Sequence, residues 1–108
     1  MAYVKELLKG NTDPLLLSLI NLRAMYGYEI IKEVARRSEG YFKLNEGTLY
    51  PALHRLEKAG LIEGRWQPSI TGQERRYYHI TDKGHDVLTA RRKEWKGFAR
   101  AVELIFGV

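Results

Sequence analysis

The chain of 108 residues contains no cysteine and carries a net charge of +5. Its length fits a single domain, while the absence of thiols excludes disulfides, zinc–cysteine sites and catalysis by a thiol. No apolar run approaches the roughly 20 residues of a membrane span, and the N-terminus lacks the pattern of a secretory signal. We therefore expect a cytoplasmic protein without membrane contact. The positive net charge suggests an anionic partner.

Two helices are predicted in the first part of the chain. The first covers residues 2–8, and the second begins at Asp13 and Pro14. Asp13 suits the N-cap, and Pro14 suits the first helical position because its missing N–H costs nothing there. Residues 15–22 are apolar almost all round, which predicts a helix that is buried on several sides at the centre of the core.

Two amphipathic helices are predicted in the middle of the chain. The third segment covers residues 27–38 and the fourth covers residues 45–60, each with apolar side chains at helical spacing. These positions are Ile30, Ile31, Val34 and Ala35 in the third segment, and Leu49, Leu53, Leu56 and Ala59 in the fourth. Pro51 cannot donate a helical hydrogen bond, but it is tolerated if the regular helix starts near Thr48, which can then act as the cap.

A β-hairpin and a long helix are predicted for the rest of the chain. Residues 61–67 and 75–81 are rich in strand formers and flank a turn-rich loop. Thr81 and Asp82 then suit the start of a helix that runs to about Phe106, and about 25 residues give it a length of about 40 Å.

The order of these elements predicts a mainly α fold with a small β-hairpin. Two middle helices joined by a short turn and followed by a hairpin form a winged helix-turn-helix. We expect residues 1–81 to form this DNA-binding domain. We expect residues 82–108 to form a C-terminal dimerisation helix within the same structural unit, because this helix is longer than so small a core needs.

The fourth segment presents a polar face opposite its apolar stripe. This face has no acidic group at its centre, and Glu46 and Glu57 lie at its margins. It consists of Gly47, Thr48, Tyr50, Pro51, His54, Arg55 and Lys58. Such side chains can contact base edges and phosphates in a major groove. A plain solvated face is the alternative, but the place of the helix between a turn and a hairpin favours a recognition helix.

Three further residues are candidates for phosphate contacts. Arg75 and Arg76 lie on the hairpin, where a winged fold brings guanidinium groups beside the minor groove or the flanking phosphates. The alternative for these arginines is cross-strand pairing with Glu63 or Glu74. Tyr28 lies near the start of the third segment and can donate to a phosphate at a helix N-terminus, or it is a tyrosine at the edge of the core.

Three stretches of the sequence resemble the PadR family of bacterial transcriptional regulators. They are GYEI at residues 27–30, GTLYPALHRLEKAGLI at residues 47–62, and RRYYHIT at residues 75–81, followed by Gly84. The resemblance runs through the whole chain in the same order, and its length is similar to that of the short subfamily. It implies a homodimeric winged-helix repressor that binds an inverted-repeat operator through residues 48–58 and through Arg75 and Arg76.

The last helix has an apolar pattern of its own. Leu88, Trp95, Phe98, Val102 and Ile105 follow a seven-residue alternation that is typical of a coiled-coil seam, although Arg91 interrupts it. We call these five residues the seam. The pattern predicts dimerisation through this helix, which would place two recognition helices about one turn of DNA apart; packing only on its own domain is the alternative.

The resemblance also implies a small aromatic or lipophilic effector. In drug-responsive members of the family, a tryptophan at the place of Trp95 lines a pocket at the dimer centre. Residues Pro14, Leu15 and Ser18 of the second segment are expected to face the same space. Basic residues 91–93 precede Trp95 and would shrink an apolar pore or select an anionic ligand such as a phenolic acid. Simple packing of Trp95 in the seam is the alternative.

No catalytic or metal-binding constellation is visible in the sequence. The histidines His54, His79 and His85 lie on different predicted elements without a neighbouring acid at ligand spacing, and the serines lack a partner histidine and acid. We therefore predict a protein that is not an enzyme and needs no cofactor. A winged helix that binds a partner protein instead of DNA remains the alternative function.

Overall fold

A computed structural model describes residues 10–107, which contain four helices and a small sheet. The predicted helix at residues 2–8 lies outside the described residues. The elements are α1 (Thr12–Leu22), β1 (Met25–Tyr26), α2 (Gly27–Arg37), α3 (Glu46–Lys58), β2 (Ile62–Pro68), β3 (Glu74–Ile80) and α4 (Asp82–Phe106). This order confirms the predicted mainly α fold, a winged helix-turn-helix followed by a long helix. No helix in this part of the chain is long and apolar enough to cross a membrane.

Helix α1 lies at the centre of the core, as its apolar run predicts. Its buried residues are Leu16, Leu17, Leu19 and Ile20. The predicted cap was wrong, because the N-cap is Asn11 and not Asp13. The Asn11 carbonyl accepts from the Leu15 N–H at 3.3 Å, so the first turn closes earlier. Asp13 then lies within that turn, where a carboxylate still interacts favourably with the helix dipole.

Helix α3 starts earlier than predicted. Its cap is Asn45, whose side chain accepts from the Thr48 N–H at 2.9 Å, so the cap assigned to Thr48 was wrong. Pro51 consequently lies inside the helix and leaves the Gly47 carbonyl without its usual helical donor. The predicted stripe also changes at one place: Ala52 is buried and Ala59 is exposed, because the helix ends at Lys58.

The three described strands form one antiparallel sheet in the order β1-β3-β2. The predicted hairpin is confirmed as β2 and β3, which we call the wing together with their connecting loop. Strand β1 was not predicted, because two residues are too short to show a period. Gly64 pairs with Tyr78 and Trp66 pairs with Arg76. Since side chains alternate along a strand, these four residues share the face that includes buried Tyr78.

Helix α4 joins the core by its first turns and then leaves it. Thr81 caps it as predicted, and its side chain accepts from the Gly84 N–H at 3.0 Å. Gly84 is buried so closely against the Leu61 carbonyl that a β-carbon would clash with it. Leu88 is only 1% exposed, so its place in the seam is corrected to a place in the core of its own chain. The predicted end at Phe106 is confirmed.

Candidate nucleic-acid interface

The outward face of α3 is fully open to solvent. All seven residues predicted for it are exposed, and we call them the reading face: Gly47, Thr48, Tyr50, Pro51, His54, Arg55 and Lys58. Burial of Leu49, Leu53 and Leu56 against the core fixes the rotation of the helix. The structure therefore brings the predicted side chains together on one surface, with hydroxyl, imidazole, guanidinium and ammonium groups that can meet base edges and phosphates.

Tyr50 joins the reading face to the start of α2. Its ring lies against Gly27, where a β-carbon would clash with the tyrosine hydroxyl. Gly27 is itself buried at the first position of α2. The lack of a side chain at Gly27 thus lets α3 come close to the N-terminus of α2, where unpaired N–H groups favour anions.

Tyr28 lies beside this junction on the surface. Its side chain is 60% exposed, which argues against a place at the edge of the core. The Lys32 ammonium lies 5.3 Å from the ring centroid of Tyr28, within the range of a cation–π interaction. A phenol hydroxyl and an ammonium group therefore stand together on the exposed first turns of α2.

Arg55 is held by a carboxylate from another helix. Its Nη2 donates to Asp13 Oδ1 at 3.2 Å, and the two side chains remain 60% and 40% exposed. Ion pairs this exposed contribute only about 0–1 kcal/mol. Arg55 can therefore exchange Asp13 for a DNA phosphate or a guanine at little cost.

The two wing arginines lie on opposite faces of β3 because they are consecutive. Arg75 donates to Gln73 Oε1 at 2.9 Å and lies 5.2 Å from the ring centroid of Tyr26. Its Nε is buried without a hydrogen-bond partner among the described residues. Arg75 thus keeps donor capacity that no other described group satisfies.

Arg76 is turned inward, toward α3. It forms an ion pair with Glu57 at 2.5 Å, and its guanidinium carbon lies 5.9 Å from the ring centroid of Tyr78. The hydrogen bond that Arg76 donates to the Glu57 carboxylate raises the pKa of Arg76, and burial raises the pKa of Tyr78. Arg76 does not pair with Glu63 or Glu74, the two carboxylates predicted as its alternative partners. Glu63 pairs with Arg65 instead.

An open cleft of about 610 Å³ separates the wing from the start of α2 and α3. Its lining includes Tyr26, Tyr50, Trp66, Arg75 and Arg76. Trp66 was not predicted as a site residue, although it is 66% exposed. Trp66 lies an even number of residues from buried Ile62, so both side chains point to the same face of β2. This two-residue period is the signal that would have identified Trp66.

The predicted effector residues do not all come together within one chain. Leu15 and Ser18 line a shallow cleft of about 310 Å³ whose other walls include Leu22, Phe42 and Arg92. Arg92 donates to the Ser18 hydroxyl at 3.4 Å. Neither Pro14 nor Trp95 is among the lining residues. Arg92, one of the basic residues expected to shrink the pore or to select an anionic ligand, lines the cleft instead.

Beyond Leu88, the other described residues leave most of the apolar side of α4 uncovered. Trp95 stacks on Phe98 with ring centroids 5.5 Å apart, and the two side chains are 54% and 61% exposed. Ile105 is 84% exposed, while Val102 is half-buried. Leu104 and Phe106 are also exposed; they were not predicted, because they fall outside the seven-residue pattern.

The chain is similar to known regulators over most of its length. A family model described as "Transcriptional regulator PadR-like family" matches residues 16–90. "Transcriptional regulator Rv3488" from Mycobacterium tuberculosis is 36% identical over 78 residues, which cover 72% of this chain and 69% of that protein. A crystal structure of a PadR-like transcriptional regulator from Bacillus cereus has a TM-score of 0.86 and 35% identity, covering 94% of this chain and 96% of the other.

Proposed function

Since the chain belongs to the PadR-like family of transcriptional regulators, we propose that it is a cytoplasmic, homodimeric repressor that binds a specific duplex operator. Membership of a family of regulators confirms the prediction that it is not an enzyme. The observation that carries the proposal is the exposed reading face of α3, with the start of α2 on one side and the wing on the other.

The reading face supplies the sequence-reading part of the proposal. Thr48 carries a methyl group that can contact a thymine methyl, and Arg55 can pair with guanine in the major groove. Both lie on a helix whose rotation is fixed by buried leucines. His54 and Lys58 follow along the same side of the helix and suit contacts to base edges and phosphates.

Phosphate contacts outside α3 are proposed for two residues. Tyr28 is exposed at the first turn of α2, with the Lys32 ammonium beside it, so a phosphate there would meet a hydroxyl donor and a positive charge. Arg75 lies at the cleft between the wing and α2, where its positive charge can meet a phosphate. These contacts would fix the position of α3 in the groove without reading sequence.

Dimerisation is proposed through the exposed part of α4. Trp95, Phe98 and Ile105 present apolar surface that the rest of the described chain, residues 10–107, leaves exposed, and pairing with a second copy would bury it. A two-fold dimer repeats the reading face on successive turns of an inverted-repeat operator.

Control by a small effector is also proposed. The cleft formed by α1, the end of α2 and Arg92 of α4 is lined by apolar side chains together with two arginines, Arg37 and Arg92, which suits a small aromatic compound that carries an anionic group. We expect a planar aromatic carboxylate to quench Trp95 fluorescence in a Trp66→Phe variant, since Trp95 lies one turn beyond Arg92. Arg92→Ala should abolish the preference for carboxylates over their amides, whereas no quenching by any compound of a varied aromatic set would contradict the effector proposal.

Duplex binding tests the proposed function directly. Duplexes are selected from a random pool with the intact protein, and affinity is then measured against salt concentration. We expect the logarithm of the association constant to fall steeply with the logarithm of salt concentration, with a slope set by about six to ten phosphate contacts per dimer. No affinity for any duplex even at low salt would contradict the proposal and favour a winged helix that binds a protein.

A further inference from the structure

We infer that Glu57 and Arg76 are positioning residues that lock the wing onto the recognition helix and thereby set sequence selectivity. The inference rests on the proposed DNA-binding function and goes beyond it. It assigns Arg76 to the contact between β3 and α3, where it holds the wing in place, and not to a phosphate.

One carboxylate of α3 holds both strands of the wing. Glu57 Oε2 accepts from the Arg76 guanidinium on β3 and from the Gly64 N–H on β2, the latter at 3.3 Å. We call Glu57, Gly64 and Arg76 the wing clamp. Because two strands share a single acceptor on the recognition helix, a displacement of the wing must stretch both hydrogen bonds.

Gly64 makes room for this arrangement. A β-carbon at this position would clash with the Arg76 guanidinium, so the arginine crosses β2 at the point where a side chain is missing. The backbone of Gly64 does not adopt a positive φ angle. The requirement for glycine here is one of space, and this separates it from the turn glycines of the chain.

The surroundings of Arg76 favour its internal role. Its guanidinium lies over Tyr78, whose side chain is buried, and both clamp side chains are only about one third exposed, at 37% and 32%. A phosphate that took Arg76 would leave the Glu57 carboxylate without its partner close to the DNA, where the two negative charges repel. Arg75 forms no ion pair with a carboxylate of residues 10–107 and remains the wing residue suited to phosphate.

The test compares binding to a selected duplex and to a random duplex of equal length, over a range of salt concentrations. Glu57→Gln removes the negative charge, Arg76→Ala removes the guanidinium, and Gly64→Ala changes no charge but displaces Arg76. We expect each variant to lower the ratio of selected to random affinity by about tenfold. An effect of this size is typical of mutations that weaken the energetic coupling between two parts of a protein. The Glu57→Gln/Arg76→Ala double variant should lose no more than the stronger single variant.

Salt dependence separates positioning from phosphate contact. We expect Arg76→Ala to keep the wild-type slope, because no phosphate contact is lost. If Arg76 bound a phosphate, the slope would fall by about 0.9 per protomer and affinity for both duplexes would fall alike. Glu57→Gln would then improve binding to both, since an acidic group would be removed beside DNA. Either of these results would overturn the clamp.

Two controls protect the comparison. Glu63→Gln removes the same charge from the outer face of the same wing and should leave the affinity ratio unchanged. In the DNA-free protein, amide hydrogen exchange of Gly64 should become at least about tenfold faster in Glu57→Gln, while amides of α1 keep their protection. If the wild-type chain binds no duplex at all, the proposed function and the inference fall together; if it binds and the ratio is unchanged in the clamp variants, only the inference falls.

Discussion

At the scale of single residues, missing side chains matter as much as those present. Gly27 and Gly64 each lie where a neighbouring side chain crosses the backbone, Tyr50 in one case and Arg76 in the other. The sequence predicts glycines at turns, but it carries no local sign that a glycine within a helix or a strand is needed for space. Both requirements arise from residues that are distant along the chain.

Gly27→Ala is expected to push the Tyr50 ring off α2. Tyr50 is half exposed and can swing outward, so the free energy of unfolding should fall by only about 1 kcal/mol, while affinity for the selected duplex falls by about tenfold. Denaturant unfolding and duplex titration measure the two effects. Gly97→Ala is the matched control: its β-carbon meets open space, so it should stabilise the protein by about 0.5–1 kcal/mol. Unchanged duplex affinity in Gly27→Ala would show that Tyr50 does not need its present position.

Asp13→Asn is expected to raise affinity for duplex DNA. The substitution removes the carboxylate that holds Arg55 and a negative charge beside the reading face. Because the ion pair is exposed, stability should change by less than about 1 kcal/mol. Affinity for the selected duplex should rise, and Arg55→Ala should cancel the gain in the double variant. A gain that persists without Arg55 would mean that Asp13 acts only through long-range repulsion.

At the scale of elements, the sequence predicts those whose signals are local. Capping by Thr81 and an unbroken helical pattern identify α4 to its end at Phe106, and strand formers on both sides of a turn identify the wing. Strand β1 could not be predicted, because two residues become a strand only by pairing with β3. The cap of α3 was misplaced since Pro51 suggested a later start, whereas Asn45 supplies the stronger acceptor.

The last turn of α2 should show a pH-dependent contribution to stability. Hydrogen bonds from Arg36, at 2.7 Å, and Arg37, at 3.0 Å, lower the pKa of Glu33 from 4.5 to about 2. A carboxyl whose pKa is lower in the folded state stabilises the fold above its unfolded pKa and loses this contribution as the pH falls. The difference in melting temperature between wild type and Glu33→Gln should therefore be largest near pH 7 and shrink between pH 4.5 and 2. A difference that grows on acidification would contradict this assignment.

At the scale of the whole molecule, one long helix completes the core of its own chain and, in the proposed dimer, also pairs with a second copy. Its first turns complete the core through Leu88, and the turns beyond expose Trp95, Phe98 and Ile105. The apolar repeat could be predicted from the sequence, but the point at which the helix leaves the core could not, because both parts share the same spacing. The same limit applies to Arg76, whose partner Glu57 lies 19 residues away on another element.

Two substitutions should separate these purposes. Phe98→Glu is expected to convert a dimer into a monomer in analytical ultracentrifugation and to lower operator affinity by more than about tenfold, since both half-sites are no longer held together. Leu88→Ala should instead lower the free energy of unfolding by about 2–5 kcal/mol while the folded protein stays dimeric. A Phe98→Glu variant that sediments like the wild type would contradict pairing through α4.

The hydrogen bond between Glu57 and Gly64 also has a consequence for solubility. Strand β2 lies at the edge of the sheet, and an edge strand with free N–H groups can recruit a strand from another chain. Glu57 occupies the Gly64 N–H, and its ion pair with Arg76 places two charged side chains at that position. A strand of a second molecule therefore finds neither a free donor nor a neutral approach there, and the contact that fixes the wing also protects it from edge-to-edge aggregation.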